Sequence, residues 1–255
     1  MSRLKQYFKN ESYFESPNTI NSSVAGIIAS DGHIRERRHD RQSVLIIALK
    51  TNDAKLLEDI KISVNSNARI INKEQEGIIF NKKNNKYYPR IKKISILSFY
   101  SGNKWADDLY RNWTINEGKK SLTLMPPNNL NDMDLCLAYI SGLISGDGSI
   151  YVSYSQGHKR LRIVALGTKE LLDWIRFVYC KFFNEDIRGK VKKEKPDSKI
   201  YSLQIGDLRA IKLIEKINSL NCIKLERKWL KPEVLQYIKE KRQIPFFIKR
   251  LDNIV

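Results

Sequence analysis

Two aspartates, Asp31 and Asp147, lie 116 positions apart, and each is followed by a glycine. The nine residues ending in each pair match by type: positions 24–32 read VAGIIASDG and positions 140–148 read ISGLISGDG. A single Asp-Gly pair is common in turns, but its repetition in a matching context favours a chemical role. Two carboxylates that hold a divalent metal ion are suited to phosphodiester hydrolysis. Oxygen ligands without nearby cysteine or well-spaced histidine favour Mg²⁺ over zinc.

The residues before each aspartate predict how the two carboxylates are brought together. Small residues recur four apart in both copies, as in Gly26 with Ser30 and Gly142 with Gly146. On a helix they form a shallow stripe that lets two backbones approach closely. We therefore expect the two motif helices to pack on each other and to end side by side at the aspartates. Like charges that close repel each other unless a cation lies between them.

Hydrophobic periodicity predicts the same order of elements after each motif helix. Two alternating strands (about 33–39 and 43–50; 149–155 and 159–167) precede an amphipathic helix, two further strands and a last helix. Each half thus reads αββαββα, which predicts an α+β fold with a four-stranded antiparallel sheet in each half. The prolines and asparagines of 125–132 predict the linker. The predicted units are an N-terminal extension (1–18), a first half (19–127) and a second half (128–255).

The charge of the chain points to a polyanionic partner. The 255 residues contain 46 Lys+Arg and 28 Asp+Glu, a formal charge of +18. Residues 1–127 carry 22 basic and 13 acidic side chains and residues 128–255 carry 24 and 15, so each half has a charge of +9. Nucleic acid bound across both halves would explain this equal division. Codon usage of an AT-rich genome would also enrich lysine, so charge alone does not decide the matter.

Other classes of protein are disfavoured. No apolar run is long enough to span a membrane, and the first residues lack the pattern of a secretory signal. The three cysteines, Cys136, Cys180 and Cys222, form neither a disulfide framework nor a zinc pattern. We expect a soluble, intracellular protein with no membrane partner.

The repeated motif resembles that of the LAGLIDADG homing endonucleases in their monomeric, two-motif form. The resemblance spans about residues 19–255 and implies a site-specific double-strand DNA endonuclease that leaves short 3′ overhangs. It implies two sheets forming a DNA-binding saddle around the paired motif helices, with Mg²⁺ as the metal and Mn²⁺ as a substitute. Asp31 and Asp147 inherit the catalytic role, and the expected metal ligands are Asp31, Asp147, Ser30 and Gly146. An intron-encoded monomer without an obligate protein partner is expected, and intron RNA is a possible further partner.

Two lysines are predicted to complete the catalytic site. Lys120, in Lys119-Lys120-Ser121, resembles the basic active-site residue that precedes the second motif in such enzymes. Lys228, in Glu226-Arg227-Lys228-Trp229, is its predicted counterpart in the second half. A lysine near the scissile phosphate can stabilise developing negative charge. With so many basic residues, either could instead be a solvated surface side chain.

Strand alternation predicts the residues that face DNA, since successive side chains point to opposite faces of a sheet. A two-stranded ribbon fits the major groove, where basic and polar side chains reach base edges. An ordinary solvated sheet face would show the same alternation. The candidates are His33, Arg35, Arg37, Lys50, Tyr88, Arg90 and Lys92 in the first half, and Ser149, Tyr151, Ser153, Arg160, Arg162, Lys190 and Lys192 in the second.

The two halves differ where related enzymes often carry a polar residue at the end of the second strand. Lys50 in the first half corresponds to Gly167 in the second, or the alignment there is off by one residue. The two DNA strands would then be cut at different rates. Two alternatives remain on the same fold: an RNA maturase that assists intron splicing, and a DNA-binding protein that does not cleave. The presence of both aspartates favours the endonuclease.

Overall fold

The first half contains one helix, two strands, a second helix, two long strands and a third helix. The computed structural model describes residues 8–35, 43–81, 84–100, 103–118, 122–155, 157–245 and 251. The elements of the first half are α1 (Thr19–Asp31), β1 (Gly32–Arg35), β2 (Val44–Lys50), α2 (Ala54–Ser63), β3 (Ile70–Asn81), β4 (Lys86–Tyr100) and α3 (Asn103–Trp113). A short 3₁₀ turn, Thr51–Asp53, joins β2 to α2.

The second half repeats this order and, within the described residues, continues with two further helices after it. Its elements are α4 (Met133–Gly146), β5 (Ser149–Ser155), β6 (His158–Gly167), α5 (Lys169–Phe183), β7 (Lys192–Lys193), β8 (Tyr201–Gly206), α6 (Asp207–Ser219), α7 (Glu226–Trp229) and α8 (Pro232–Arg242). Each half contains a four-stranded antiparallel sheet, in the orders β1-β2-β4-β3 and β5-β6-β8-β7. The predicted α+β architecture of two related halves is confirmed.

Helices α1 and α4 pack on each other through their glycines. A Cβ added at Gly26 would lie 2.1 Å from the carbonyl oxygen of Tyr139, and one added at Gly142 would lie 2.0 Å from that of Ser23. Any side chain larger than hydrogen at either position would therefore meet the backbone of the opposite helix. This reciprocal contact explains why both helices tolerate an interior glycine, which costs roughly 1 kcal/mol in helix propensity.

Both motif helices begin at well-formed caps. Asn18 accepts a hydrogen bond from the backbone N–H of Asn21, and the side chain of Asn21 accepts one from the backbone N–H of Asn18. Asp132 caps α4 by accepting from the N–H groups of Asp134 and Leu135. These caps satisfy orphan donors and fix where each helix starts. The ends that carry Asp31 and Asp147 are therefore set by helix length as well as by packing.

One face of each sheet is buried by helices and the other is open. In the first half, Ile34, Leu45, Ile47, Leu97 and Phe99 point into the core. The core-facing residues of the second sheet are Ile150, Leu161, Ile163, Ala165, Leu203 and Ile205. Because side chains alternate, the intervening residues of every strand lie on the opposite face, away from the helices.

The segment between α6 and α7 crosses from the second half to the first. Thr19 donates from its hydroxyl to the carbonyl oxygen of Asn221 (2.8 Å), and the N–H of Ile223 donates to Ser23 Oγ (2.9 Å). Both contacts fall near the start of α1. Contacts outside the glycine stripe therefore also fix the relative position of the halves.

The outer strands differ greatly in length between the halves. Strands β3 and β4 contain 12 and 15 residues, whereas β7 and β8 contain 2 and 6. Every residue from Ile71 to Phe80 in β3 and from Lys86 to Lys93 in β4 is exposed. The first half thus projects a two-stranded ribbon that is much longer than the β7–β8 pair in the described part of the second half. No helix in the described ranges is long and apolar enough to cross a membrane.

Candidate active site and nucleic-acid interface

The two motif aspartates lie at neighbouring helix ends. Asp31 is the last residue of α1, and Asp147 is the C-cap of α4. A Cβ added at Gly146 would lie 2.0 Å from Ser30 Oγ and 2.7 Å from Asp31 Oδ2. The carboxylate of Asp31 therefore lies against the residue that immediately precedes Asp147. Asp31 is half-buried and Asp147 is exposed, so the pair opens toward solvent.

Position 146 requires glycine, because the side chain of Ser30 occupies the space that a Cβ atom there would need. The Ser30 hydroxyl donates back into its own helix, to the carbonyl oxygens of Gly26 (3.2 Å) and Ile27 (3.1 Å). The hydroxyl hydrogen of Ser30 is therefore donated within α1. The backbone carbonyls at the two helix ends are the oxygen donors that Ser30 and Gly146 can offer, since the last carbonyls of a helix have no intrahelical partner.

The ammonium of Lys228 is bound at the end of α4. Its Nζ donates to the carbonyl oxygens of Ile144 (3.0 Å), Gly146 (2.6 Å) and Gly148 (2.8 Å). Three acceptors require the three donors of the charged form, since a neutral amine has only two. Burial, and then the neighbouring Arg227, lower the pKa of Lys228 to about 8, while Asp31, Asp147 and Asp53 oppose the shift. The side chain is mostly an ammonium at neutral pH, and it lies within electrostatic range of both motif aspartates.

A tertiary contact positions Lys228. Helix α7 is only four residues long, and its Trp229 is fully buried. Trp229 Nε1 and the backbone N–H of Leu225 both donate to Ser145 Oγ, each at 3.1 Å. The residue before Gly146 thereby anchors the turn that carries Lys228. The structure thus places Lys228 at the aspartate pair, whereas Lys120 lies outside the described residues.

Sequence reasoning missed an ion pair beside this site. Arg227 makes a bidentate bridge to Asp53, with Nε to Oδ1 at 2.5 Å and Nη2 to Oδ2 at 2.8 Å. The pair raises the pKa of Arg227, mainly through the hydrogen bond to Asp53, and Asp31 adds to the shift. The Asp53 side chain is only 6% exposed and that of Arg227 is 54% exposed. No sequence signal links two residues 174 positions apart.

The pairing of strands places the first-half candidates on one face. Cross-strand partners share a face, and the pairs His33↔Ile46, Arg35↔Val44 and Lys50↔Ile94 connect β1, β2 and β4. Two-residue steps along β4 from Ile94 reach Lys92, Arg90 and Tyr88. All six candidates therefore lie on the face away from the core, and all six are exposed. Arg37 lies outside the described residues.

The second-half candidates also share the open face of their sheet. The pairs Ser149↔Val164, Tyr151↔Arg162 and Ser153↔Arg160 bring five of them together. Lys192 joins them, because it pairs with Ser202, which in turn pairs with Leu166. Lys190 is exposed just before β7.

Strand pairing adds polar residues to these faces that the sequence did not single out. Lys73 pairs with Ile94 and Gln75 pairs with Lys92, so both belong to the open face of the first sheet. Ser202 and Gln204 occupy the corresponding face of the second. Their position on the open faces depends on how the outer strands pair with the inner ones, and the sequence does not reveal this pairing.

The donor set at the helix ends fits a hard divalent cation. It consists of two carboxylates and backbone carbonyls, all oxygen, which is the chemistry that Mg²⁺ prefers. Among the described residues, no cluster of three or more His, Cys, Asp or Glu could form an all-protein metal site. Waters and phosphate oxygens would have to complete the coordination, as is usual for Mg²⁺.

Comparisons with known proteins identify the architecture. No protein-family model and no curated protein sequence matches the chain. The crystal structure of LAGLIDADG homing endonuclease I-GzeII in complex with a DNA target matches it with a TM-score of 0.50 and 15% identity, covering 94% of this chain and 97% of that one. Meganuclease I-SmaMI, bound to uncleaveable DNA, matches with a TM-score of 0.51 and 12% identity, covering 93% and 95%. The chain therefore has the fold of the LAGLIDADG homing endonucleases.

Proposed function

We propose that the protein is a site-specific DNA endonuclease that hydrolyses one phosphodiester bond in each strand of a long duplex site. The observation that carries the proposal is the convergence of Asp31, Asp147 and the Lys228 ammonium at the paired ends of α1 and α4. Each half presents one open, polar sheet face. Two solved structures of similar fold, a homing endonuclease and a meganuclease, are bound to DNA, which supports the same substrate here.

The residues at the helix ends have distinct roles in this proposal. Asp31 and Asp147, with the carbonyls of Ser30 and Gly146, would hold Mg²⁺, for which Mn²⁺ would substitute. The bound ion would supply a hydroxide at neutral pH and stabilise charge on the attacked phosphate. Lys228 holds a positive charge beside the carboxylates, and Arg227 is held nearby by Asp53.

The sheet faces would position the duplex so that one scissile phosphate lies near each aspartate. Arg and Lys on a two-stranded ribbon reach guanine edges in the major groove, while residues in turns contact phosphates. We further propose that the chain acts as a monomer, because its two halves already supply the pseudo-symmetric pair of carboxylates. Short 3′ overhangs and an origin within an intron belong to the same proposal.

A cleavage assay on a library of long duplex sites tests the proposal. Wild-type protein with Mg²⁺ or Mn²⁺ should cut a defined subset of sites on both strands. Asp31→Asn and Asp147→Asn should each abolish double-strand cleavage and retain DNA binding. Asp173→Asn is a matched control, because Asp173 is an exposed residue of α5 that forms an ion pair with Lys169.

The outcomes of this assay distinguish the endonuclease from the two alternative functions on the same fold. Tight DNA binding without nicking in either metal would identify a DNA-binding protein that does not cleave. Preferential binding of structured RNA, without DNA cleavage, would identify a maturase. Normal cleavage by either asparagine variant would show that the metal assignment is wrong.

A further inference from the structure

The contacts of Lys228 have a consequence for how metal enters the site. The three carbonyl oxygens that it binds belong to Ile144, Gly146 and Gly148, which surround Asp147 on both sides. The C-terminal end of a helix carries a partial negative charge, and here two carboxylates add to it. A single ammonium thus neutralises the part of the site where negative charge is most concentrated.

The shortest of these bonds is made to a proposed metal ligand. Lys228 Nζ lies 2.6 Å from the carbonyl oxygen of Gly146. A divalent ion bound to the same oxygen would lie within a few ångströms of the ammonium. At that distance, in a partly buried site, the repulsion between the two cations outweighs any contact they could share.

We infer that Lys228 serves as an internal cation that occupies the end of α4 until a divalent metal ion replaces it. This inference rests on the proposed function for the identity of the site. The binding of metal at Asp147 and the Gly146 carbonyl requires the ammonium to leave that carbonyl. Lys228 therefore weakens metal binding in the absence of DNA, and it is released toward the approaching phosphate when the metal is bound.

Arg227 adds a second positive charge near this end of the helix pair. Its guanidinium is held in the bidentate pair with Asp53, and its pKa is also raised by the charge of Asp31. The carbonyl that Lys228 blocks is that of Gly146, so the inference concerns the metal position at Asp147.

Mn²⁺ binding to the DNA-free protein tests the inference, followed by titration calorimetry or by the electron paramagnetic resonance of free Mn²⁺. Lys228→Met should bind Mn²⁺ at least about tenfold more tightly than wild type, because a nearby unit charge is removed. Lys228→Gln, which is neutral but can still donate to a carbonyl, should also bind more tightly. Lys231→Met is the matched control, because it removes a charge three residues away whose partner is Glu233.

A second measurement uses the unaltered chain, so that misfolding of a variant cannot confuse it. Reductive methylation followed by mass spectrometry reports how accessible each lysine amine is. Lys228 should be methylated several-fold faster with saturating Mn²⁺ than without it, while Lys231 should not change. Equal rates for Lys228 in both conditions would overturn the inference.

The failure of this inference can be told apart from the failure of the proposed function. Neutral Lys228 variants that bind Mn²⁺ no more tightly than wild type, or that bind none, overturn the inference whether or not the protein cuts DNA. If those variants bind Mn²⁺ more tightly and the wild-type protein cuts no DNA, the role of Lys228 as an internal cation is supported and the proposed endonuclease function is contradicted.

Discussion

Asp53 and Arg227 form an ion pair whose two members differ sharply in burial. Removing Arg227 leaves the 6% exposed carboxylate of Asp53 without its partner, whereas removing the charge of Asp53 leaves a guanidinium that water can reach. Buried polar groups that lose a partner cost more than exposed ones. We predict that Arg227→Met lowers the free energy of unfolding by about 2–3 kcal/mol and Asp53→Asn by about 1 kcal/mol. Urea denaturation measures both; equal losses would contradict this asymmetry.

Ser145 is the residue on which the position of Lys228 depends. Its buried hydroxyl accepts from Trp229 Nε1 and from the N–H of Leu225, and donates to the carbonyl oxygen of Ser141. Ser145→Ala leaves two donors unsatisfied and should lower the free energy of unfolding by about 2–3 kcal/mol. Slower cleavage should accompany this loss, because the turn that carries Lys228 is no longer fixed.

Ser219→Ala provides the control for this prediction. The hydroxyl of Ser219 is exposed and donates only within α6, to the carbonyl oxygen of Lys216. Its removal should change stability by less than about 0.5 kcal/mol. A Ser145→Ala protein as stable as the Ser219→Ala protein would show that the two donors find other partners.

At the scale of elements, the contact between α1 and α4 leaves no room for a side chain. A methyl group at residue 142 would lie 2.0 Å from the carbonyl oxygen of Ser23, in a backbone that is held by the whole interface. We predict that Gly142→Ala lowers the free energy of unfolding by at least about 3 kcal/mol, despite the better helix propensity of alanine. Gly77→Ala in β3 should change it by less than about 1 kcal/mol, since the nearest atom is 3.9 Å away. Thermal or chemical denaturation would show similar losses for the two variants if the helices could separate at little cost.

The ribbon β3–β4 offers adjacent lysines on opposite faces. Lys92 lies on the open face with Arg90 and Gln75, whereas Lys93 points to the other side and pairs with Glu74 at 3.2 Å. Because the open face is proposed to lie against DNA, Lys92→Ala removes a positive charge from the complex and should reduce the slope of log K against log salt concentration by about one. Lys93→Ala should leave the slope unchanged. Equal effects in a binding titration over several salt concentrations would mean that DNA does not distinguish the two faces.

At the scale of the whole molecule, the sequence predicts those features that local patterns determine. The paired glycines predict the α1–α4 contact, because both sides of that contact carry the same short motif. Strand alternation predicts the open faces, because side-chain direction depends on position alone. The ion pair of Asp53 with Arg227 and the three bonds of Lys228 depend instead on how a four-residue helix packs against Ser145. Such contacts join segments far apart in sequence, and no local pattern encodes them.

The unequal ribbons predict an unequal footprint on the target site. Exposed residues 86–93 of β4 extend about 26 Å at 3.3 Å per residue, whereas the two residues of β7 extend about 7 Å. The turn 194–200 adds some reach to the second half, so we expect protection from hydroxyl radicals to extend about four base pairs further on one side of the cut. Lys92→Ala should weaken protection at the outer end of the longer side alone. Equal protection on both sides would show that the turn 194–200 reaches as far as the strands of the first half, and that the two halves contact half-sites of equal length.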